Sequence, residues 1–251
     1  MQLQRLLSYT RKAVDDYHMI EDGDKIAIGV SGGKDSLTLL YALVKLQHFY
    51  PKKFSVIAIS VDLGYEDFDL TPVKELCSQL QVEYHIVKTQ ISEIIFSDSN
   101  KGLLCSLCAK MRKGALNDAV KALGCNKVAY AHHMDDVIET MFLSLIYEGR
   151  FYTFSPVTFL DKAELTVIRP MIYVSEAEVK GFKNKYQLPI VKNPCPVDGV
   201  SKRQYVKDLI RQIQLENPGA KKRMFTAIVE GNISGWALQD FEKYTEEHNR
   251  Q

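Results

Sequence analysis

Short apolar runs alternate along the chain with longer stretches in which apolar residues recur every three or four positions. The pattern is clearest over residues 25–41, KIAIGVSGGKDSLTLLY, where an apolar run stops at a Ser-Gly-Gly turn. The run around Ile28 predicts a buried strand, and Leu37, Leu40 and Tyr41 lie at helical spacing after the turn. The sequence therefore predicts a strand, a tight loop and a helix N-terminus.

The same alternation continues along the chain. It predicts further strands at 54–61, 82–87 and 127–131, and helices at 3–19, 72–80, 105–123, 174–186, 201–216, 220–230 and up to Gly149. We expect the first helix to cover the sheet edge, residues 91–104 to be irregular, and residues 150–169 to form a long loop closing on a short strand. Alternating strands and helices favour parallel pairing, so the predicted fold class is α/β, a Rossmann-like parallel sheet with helices on both faces.

The turn after the first predicted strand has the chemistry of a phosphate-binding loop. Gly32 and Gly33 let the backbone approach a ligand closely, and the following helix N-terminus favours an anion. Lys34 adds a cation, Ser31 and Ser36 add hydroxyls, and Asp35 is suited to hold Mg²⁺ beside phosphates. The loop is not a Walker A motif, because Ile28 stands where its first glycine is required.

Polar residues follow two of the predicted strands. Asp62 ends the second strand, and His132, Asp135 and Asp136 follow the strand at 127–131. In a parallel sheet these positions meet at one edge, so we expect them to face the phosphate loop. Two structural alternatives stay open: Asp62 as a turn former, and the later aspartates as residues that favour a helix N-terminus.

The five cysteines fall into two groups. Cys77 and Cys125 stand in apolar surroundings and are interpreted as buried hydrophobic residues. Cys105 and Cys108 lie one helical turn apart, a spacing that fits a thiol–disulfide pair, half a zinc site or part of an iron-sulfur site. Cys195 lies in a proline-flanked loop, and in the iron-sulfur alternative it would join the pair as the third thiolate ligand of a 4Fe-4S cluster whose fourth iron is left open.

Composition places the chain among ordinary globular proteins. It has 251 residues, of which 46% are hydrophobic, and a formal net charge of +1. No apolar run approaches the roughly 20 residues of a membrane span, so we expect a cytoplasmic protein without a membrane partner. A nearly neutral chain meets a nucleic acid through local basic patches. The candidates for RNA binding are Lys110, Arg112, Lys113, Lys202 and Arg203.

Four segments in order resemble one known family. SGGKDS is similar to the signature of PP-loop N-type ATP pyrophosphatases, and CSLCAKMRKG, AHHMDDVIET and NPCPVDGVSKRQ follow it. Together they resemble the tRNA 2-thiocytidine biosynthesis (TtcA) family. The resemblance implies an adenine nucleotide alpha hydrolase-like fold, with an ATP-binding domain over 1–170 and a small helical region over 171–251. It also implies ATP, Mg²⁺ and a 4Fe-4S cluster as cofactors.

The resemblance implies that C2 of an anticodon-loop cytidine is adenylated and its oxygen replaced by sulfur. It places the ATP site at Ser31, Gly32, Gly33, Lys34, Asp35 and Ser36, and the cluster at Cys105, Cys108 and Cys195. The expected catalytic residues are Lys34, Asp35, Asp62, His132, Asp135 and Asp136. The expected partners are tRNA and a sulfur donor such as a cysteine desulfurase, with a homodimer as an option.

Three rival functions use the same motifs. Uridine 2-thiolation follows the same chemistry, although related uridine thiolases carry further CxxC pairs that this chain lacks. Lysidine synthetase shares the SGGxDS loop but needs no cysteine trio. A nucleotide-binding redox regulator would use Cys105 and Cys108 as a switch and leaves the segment around His132 unexplained.

Overall fold

The computed structural model describes residues 1–96, 104–192, 194–195, 202–231, 233 and 236. Parts of two predicted features lie outside these residues: Pro196, which flanks Cys195, and the end of the predicted C-terminal region after residue 236. Across the described residues, no helix is both long enough and apolar enough to span a bilayer.

Helices and strands alternate as the apolar pattern predicts. The strands are Lys25–Gly29 (β1), Ser55–Asp62 (β2), Glu83–Lys88 (β3), Lys127–Ala129 (β4), Val157–Leu160 (β5) and Leu165–Ile168 (β6). The helices are Leu3–Asp16 (α1), Lys34–Gln47 (α2), Thr71–Gln79 (α3), Ile91–Phe96 (α4), Leu104–Ala122 (α5), Met134–Glu148 (α6), Glu176–Lys185 (α7), Lys202–Glu216 (α8) and Ala220–Glu230 (α9).

The strands of the described chain form one sheet in the order β3-β2-β1-β4-β6-β5. All neighbours are parallel except β5 and β6, which pair as an antiparallel hairpin at one edge. The chain leaves β1 toward β2 and returns on the other side of β1 at β4. Strand order therefore reverses between β1 and β4, and this switch point is where open α/β sheets bind ligands.

Apolar side chains cover both faces of the sheet. On one face α2 is buried along nearly its whole length, and on the other face α5 packs through Leu116 and Val120. The predicted α/β fold class, with helices on both faces, is confirmed. The C-terminal helices join the larger core through Val206 and Phe225, and Trp236, which follows α9, is buried in the same core. The division at residue 170 stays a prediction.

Three local expectations were wrong. Residues Ile91–Phe96 form α4, because Ile91 and Ile95 pack one turn apart against Leu63. The segment 150–169 contains two strands, since Glu164 at φ 49° provides the turn that pairs β5 with β6. The helix α1 packs on α2 instead of on the sheet edge, because α2 is apolar on its outer side as well.

Candidate active site

The loop between β1 and α2 is held open by its own hydrogen bonds. The Ser31 amide donates to Oγ of Ser36 at 3.1 Å, and that hydroxyl donates to the Gly33 carbonyl at 3.0 Å. The helix begins at Lys34, after Gly33 as N-cap, and glycine has no side chain that could cap its first amides. A helix N-terminus of this kind binds phosphate through its free N–H groups and its dipole.

Gly32 is required at this loop for two reasons. Its φ of +78° is in the left-handed region, and a Cβ there would lie 2.8 Å from Cβ of Val191. The Val191 amide also donates to the Gly32 carbonyl at 3.0 Å. The segment that leads to Cys195 is thus fastened directly to the phosphate loop.

Lys34 lies between two carboxylates. Its Nζ is 2.9 Å from Asp35 and 3.4 Å from Glu176 at the start of α7. Burial opposes the charge of Lys34, but these carboxylates raise its pKa above the usual range. Glu176 is buried, and Lys207, Lys180 and Lys34 outweigh that burial and lower its pKa to about 2. The ammonium of Lys34 is therefore charged and positioned beside the loop.

The segment after β4 is built around a histidine cap. Nδ1 of His133 accepts from the Asp136 amide at 3.4 Å, and the Asp136 carboxylate accepts from the His133 amide at 2.9 Å. This capping box starts α6 at the carboxyl end of β4. Nε2 of His133 lies 3.5 Å from Asp35, so the cap also reaches the phosphate loop.

His132 is fixed by a buried arginine. Nε of Arg169 donates to Nδ1 of His132 at 3.2 Å, which places the imidazole proton on Nε2. Arg169 also donates to the Ser155 carbonyl at 2.6 Å and to Thr158 at 3.0 Å. Among the described residues, no carboxylate forms an ion pair with Arg169, which is 8% exposed. Burial and Arg169 lower the pKa of His132 to about 4, so the imidazole is neutral near pH 7.

Two predicted carboxylates have structural partners. Asp135 is buried, and it accepts from the Glu176 amide at 2.7 Å and from Nζ of Lys221 at 2.6 Å. Asp62 accepts from the Gly64 amide at 2.9 Å, the contact expected of a turn-forming aspartate. Neither residue lines the cavity described next, whereas Asp35 and Asp136 both do. The catalytic roles of these residues stay predictions.

Two adjoining cavities open at the switch point. The first, of about 470 Å³, lies between the phosphate loop, β4 and α5, and includes Ser36, Asp35, His132 and Asp136. The second, of about 230 Å³, lies between Tyr65, Phe68 and Pro194. Both cavities are lined by Ser31, Val61 and Arg112. A ligand in one cavity therefore shares a wall with a ligand in the other.

The predicted cluster cysteines lie beside the second cavity. Burial raises the pKa of the Cys108 thiol, and Cys195 and Cys105 act in the same direction while Arg112 opposes them. Burial, followed by Cys195, raises the pKa of Tyr65 to about 12. Cys108 packs with Tyr65 on the cluster of Leu63, which lines this cavity, Cys105 lies one turn earlier on α5, and Cys195 follows Pro194 of the cavity wall. In the part of the chain that is described, no three Cys, His, Asp or Glu side chains converge on a single-ion site.

The remaining thiols lie in the core, and the candidate RNA-binding residues lie at the surface. Cys77 and Cys125 are 1% and 5% exposed, which confirms that they are buried. Lys110, Arg112 and Lys113 are exposed along α5, and Lys202 is exposed at the start of α8. Arg203 is also exposed there, and its guanidinium lies 3.2 Å from Glu139 and 3.6 Å from Asp136.

Sequence reasoning missed Arg169 and Glu176 as parts of this site. Arg169 follows β6, and the Tyr130 amide donates to the Ile168 carbonyl, so it lies beside the residues that follow β4. The rule that sites gather at strand ends would have found Arg169 if β6 had been recognised as a neighbour of β4. Nothing comparable marks Glu176 in the sequence.

Comparison with known proteins finds a domain model and relatives that match most of the chain. A model of the PP-loop domain matches residues 4–214. The tRNA-cytidine(32) 2-sulfurtransferase of Geobacter sulfurreducens is 36% identical over 234 residues, 92% of this chain and 90% of that protein. The Pelobacter propionicus protein of the same name is 38% identical, over 90% of this chain and 85% of that protein.

The chain belongs to the tRNA 2-thiocytidine family of PP-loop proteins. This confirms the resemblance carried by its four segments. A solved structure with the same fold is the U34-tRNA thiolase NcsA from Methanococcus maripaludis with its [4Fe-4S] cluster. It has a TM-score of 0.71 and 26% identity, and the match covers 88% of this chain and 77% of that one. In this PP-loop protein, the segment that leads to Cys195 is hydrogen-bonded to the loop of Gly32.

Proposed function

We propose that this protein is an ATP-dependent tRNA sulfurtransferase that converts the cytidine at position 32 of the anticodon loop to 2-thiocytidine. The names of its sulfurtransferase relatives support the substrate. One structural observation carries the proposal: a nucleotide-sized cavity at the phosphate loop shares Ser31, Val61 and Arg112 with a smaller cavity beside the cysteines. Activation and sulfur transfer on one base need two such adjoining spaces.

The first cavity is suited to ATP. The amides at the start of α2 and the charged Lys34 bind the phosphates, and carboxylates of Asp35 and Asp136 line the same space and would hold Mg²⁺. The C2 oxygen of the base attacks the α-phosphorus, pyrophosphate leaves, and the oxygen becomes part of an AMP leaving group. The proton on Nε2 makes His132 a hydrogen-bond donor toward the charge that develops on the phosphoryl oxygens.

Arg112 lies at the wall between the two cavities, where it can contact a ligand in either one. It is exposed along α5 and lines both cavities, so its guanidinium is within reach of a phosphate on one side and of the base on the other. It also opposes the rise in the pKa of Cys108 that burial causes, and so favours the thiolate form in which cysteine binds metals.

The donor set beside the second cavity fits an iron-sulfur cluster. Cys105, Cys108 and Cys195 would hold it, and because each thiolate of a cluster binds a different iron, they need not converge on one point. Bound there, a 4Fe-4S cluster supplies an iron with an open position for sulfide. The same kind of cluster is present in the related thiolase structure. Tyr65 lines this cavity, and its hydroxyl interacts with Cys195.

The remaining partners follow from the chemistry. The proposed enzyme works in the cytoplasm on tRNA and receives sulfur from a donor such as a cysteine desulfurase. A homodimer stays a prediction.

The test is nucleoside analysis by mass spectrometry after incubation of anaerobically purified protein with unmodified tRNA, MgATP and sulfide. We expect 2-thiocytidine, formed together with AMP. Lys34→Ala should reduce the rate by at least about a hundredfold, because it removes a phosphate cation at the reacting centre. Lys183→Ala on α7 is the matched control and should act as wild type. Thiouridine instead of thiocytidine would support the uridine rival, and no ATP-dependent thiolation would support the redox regulator.

A further inference from the structure

The loop that joins α6 to β5 exposes several aromatic side chains. Phe151 is 76% exposed, Tyr152 is 45% exposed, and Tyr147 at the end of α6 is 43% exposed. Large rings are costly to leave in water, and side chains clustered in this way mark an interaction surface. We call Tyr147, Phe151 and Tyr152 the aromatic platform.

Cations lie over two rings of this platform. Cζ of Arg150 is 4.6 Å from the ring centroid of Tyr152, and Nζ of Lys202 is 4.5 Å from that of Tyr147. Arg150 also pairs with Glu148 at 2.7 Å, which holds the guanidinium in place. Rings interleaved with cations are the surface that binds unstacked RNA bases and their phosphates.

The platform is continuous with the active site through the same loop. The buried Thr153 hydroxyl donates to the Val137 carbonyl at 3.0 Å, and the ring of the next residue, Phe154, packs against His132 with the ring centroids 4.5 Å apart. Arg169 then binds the Ser155 carbonyl. Phe154 lies only three positions after Phe151, a span of at most about 10 Å. The platform therefore lies within a few bases of the nucleotide cavity.

We propose that the aromatic platform stacks the anticodon-loop bases that flank the target cytidine. This inference rests on the proposed function. A base that reacts at C2 must leave its stack, and its neighbours then lose a stacking partner. Phe151 and Tyr152 supply that partner, while Arg150 and Lys202 meet the adjoining phosphates. The platform thus holds the loop open while the cytidine enters the cavity of His132.

A second copy of the chain is the competing occupant. Phe151 also borders an apolar groove of about 580 Å³ with Leu145, Phe142 and Met224. The cations over the rings favour RNA, because two copies facing each other there would bring Arg150 and Lys202 of both into one interface. The test below separates the two occupants.

The experiment measures binding of an anticodon stem-loop RNA to full-length protein by fluorescence, at several salt concentrations. Phe151→Ala and Tyr152→Ala should each weaken binding about fivefold to a hundredfold while leaving the salt dependence unchanged, because stacking releases no counterions. Lys202→Gln should instead flatten the salt dependence. Phe151→Trp should bind the RNA about as tightly as the wild-type protein, because tryptophan keeps an aromatic ring at this position. Phe49→Ala is the matched control, since Phe49 is 50% exposed at the far end of α2.

The outcomes distinguish a failure of the proposed function from a failure of the aromatic platform. If the wild-type protein does not bind the RNA, the proposed function fails. If the wild-type protein binds and Phe151→Ala binds equally well, the platform is overturned while the function stands. If sedimentation shows that Phe151→Ala dissociates a wild-type dimer without weakening RNA binding, the surface belongs to a second copy. An ATP affinity equal to wild type in each variant confirms that the fold is intact.

Discussion

His132 should make the protein less stable as the pH falls. Burial, Arg169, Arg203 and His133 all disfavour the imidazolium, only Asp136 favours it, and its pKa falls from 6.5 to about 4. The unfolded chain therefore binds a proton on this residue at a pH where the folded chain does not. The contribution of the neutral imidazole to the free energy of unfolding is fully present above the pKa of histidine in the unfolded chain. It is lost as the pH falls from about 6.5 toward 4.

The magnitude follows from the two pKa values. Between pH 7.5 and pH 5.0, a shift from 6.5 to about 4 removes roughly 2 kcal/mol of the free energy of unfolding. The replacement His132→Asn removes the titration, and its amide oxygen can still accept from Nε of Arg169. The pH-dependent loss should therefore be about 2 kcal/mol smaller in this variant than in the wild-type protein.

Urea unfolding of wild type and variant at both pH values measures this difference, since contributions from other groups cancel in the comparison. His48→Asn, at the exposed end of α2, is the control and should keep the wild-type loss. Nitrogen-15 spectra of labelled histidine report the same property directly, because they show which ring nitrogen of His132 carries the proton. An equal loss in wild type and His132→Asn, or a proton on Nδ1, would refute the Arg169 assignment.

Three further changes test other parts of the site. Gly32→Ala should weaken binding of an ATP analogue at least about tenfold by calorimetry, because the left-handed backbone and the contact with Val191 strain the loop by about 1–3 kcal/mol; Gly114→Ala, with open space around it, should not. Lys221→Met should lower the free energy of urea unfolding by about 2 kcal/mol, because Asp135 then stays buried without its cation; an unchanged value would show that this pair does not stabilise the fold. Cys195→Ser should reduce iron and acid-labile sulfide in anaerobic protein, whereas the buried Cys77→Ser should retain both; equal iron in the two would remove Cys195 from the cluster.

Local patterns were sufficient to predict most of the fold. The phosphate loop stands out because a buried strand, two glycines and an amphipathic helix follow one another within residues 25–41. The burial of Cys77 and Cys125 also follows from apolar neighbours in the sequence. The hairpin of β5 and β6 was missed because each strand has only four residues, too few for a clear period.

The candidate site depends on contacts that no local pattern encodes. Arg169 reaches His132 across 37 positions, and Lys221 reaches Asp135 across 86. Asp135 and Asp136 are adjacent in the sequence and look equivalent there. Because neighbouring residues of a helix point in different directions, Asp135 contacts Glu176 of α7 and Lys221 of α9, whereas Asp136 lines the cavity. Only the packing of the helices distinguishes the two roles.

Packing of the C-terminal helices also brings basic residues of α8 and α9 next to acidic groups of the site. Lys221 binds Asp135, Arg203 lies near Asp136, and Lys207 binds Glu176, the carboxylate that also contacts Lys34. These cations neutralise acidic groups that would otherwise repel the phosphates of ATP at the loop. The helices after residue 200 thus make the nucleotide site electrostatically suitable, although they contribute no residue to the phosphate loop itself. For this reason a shortened chain that ends before α8 should lose ATP binding even if its sheet still folds.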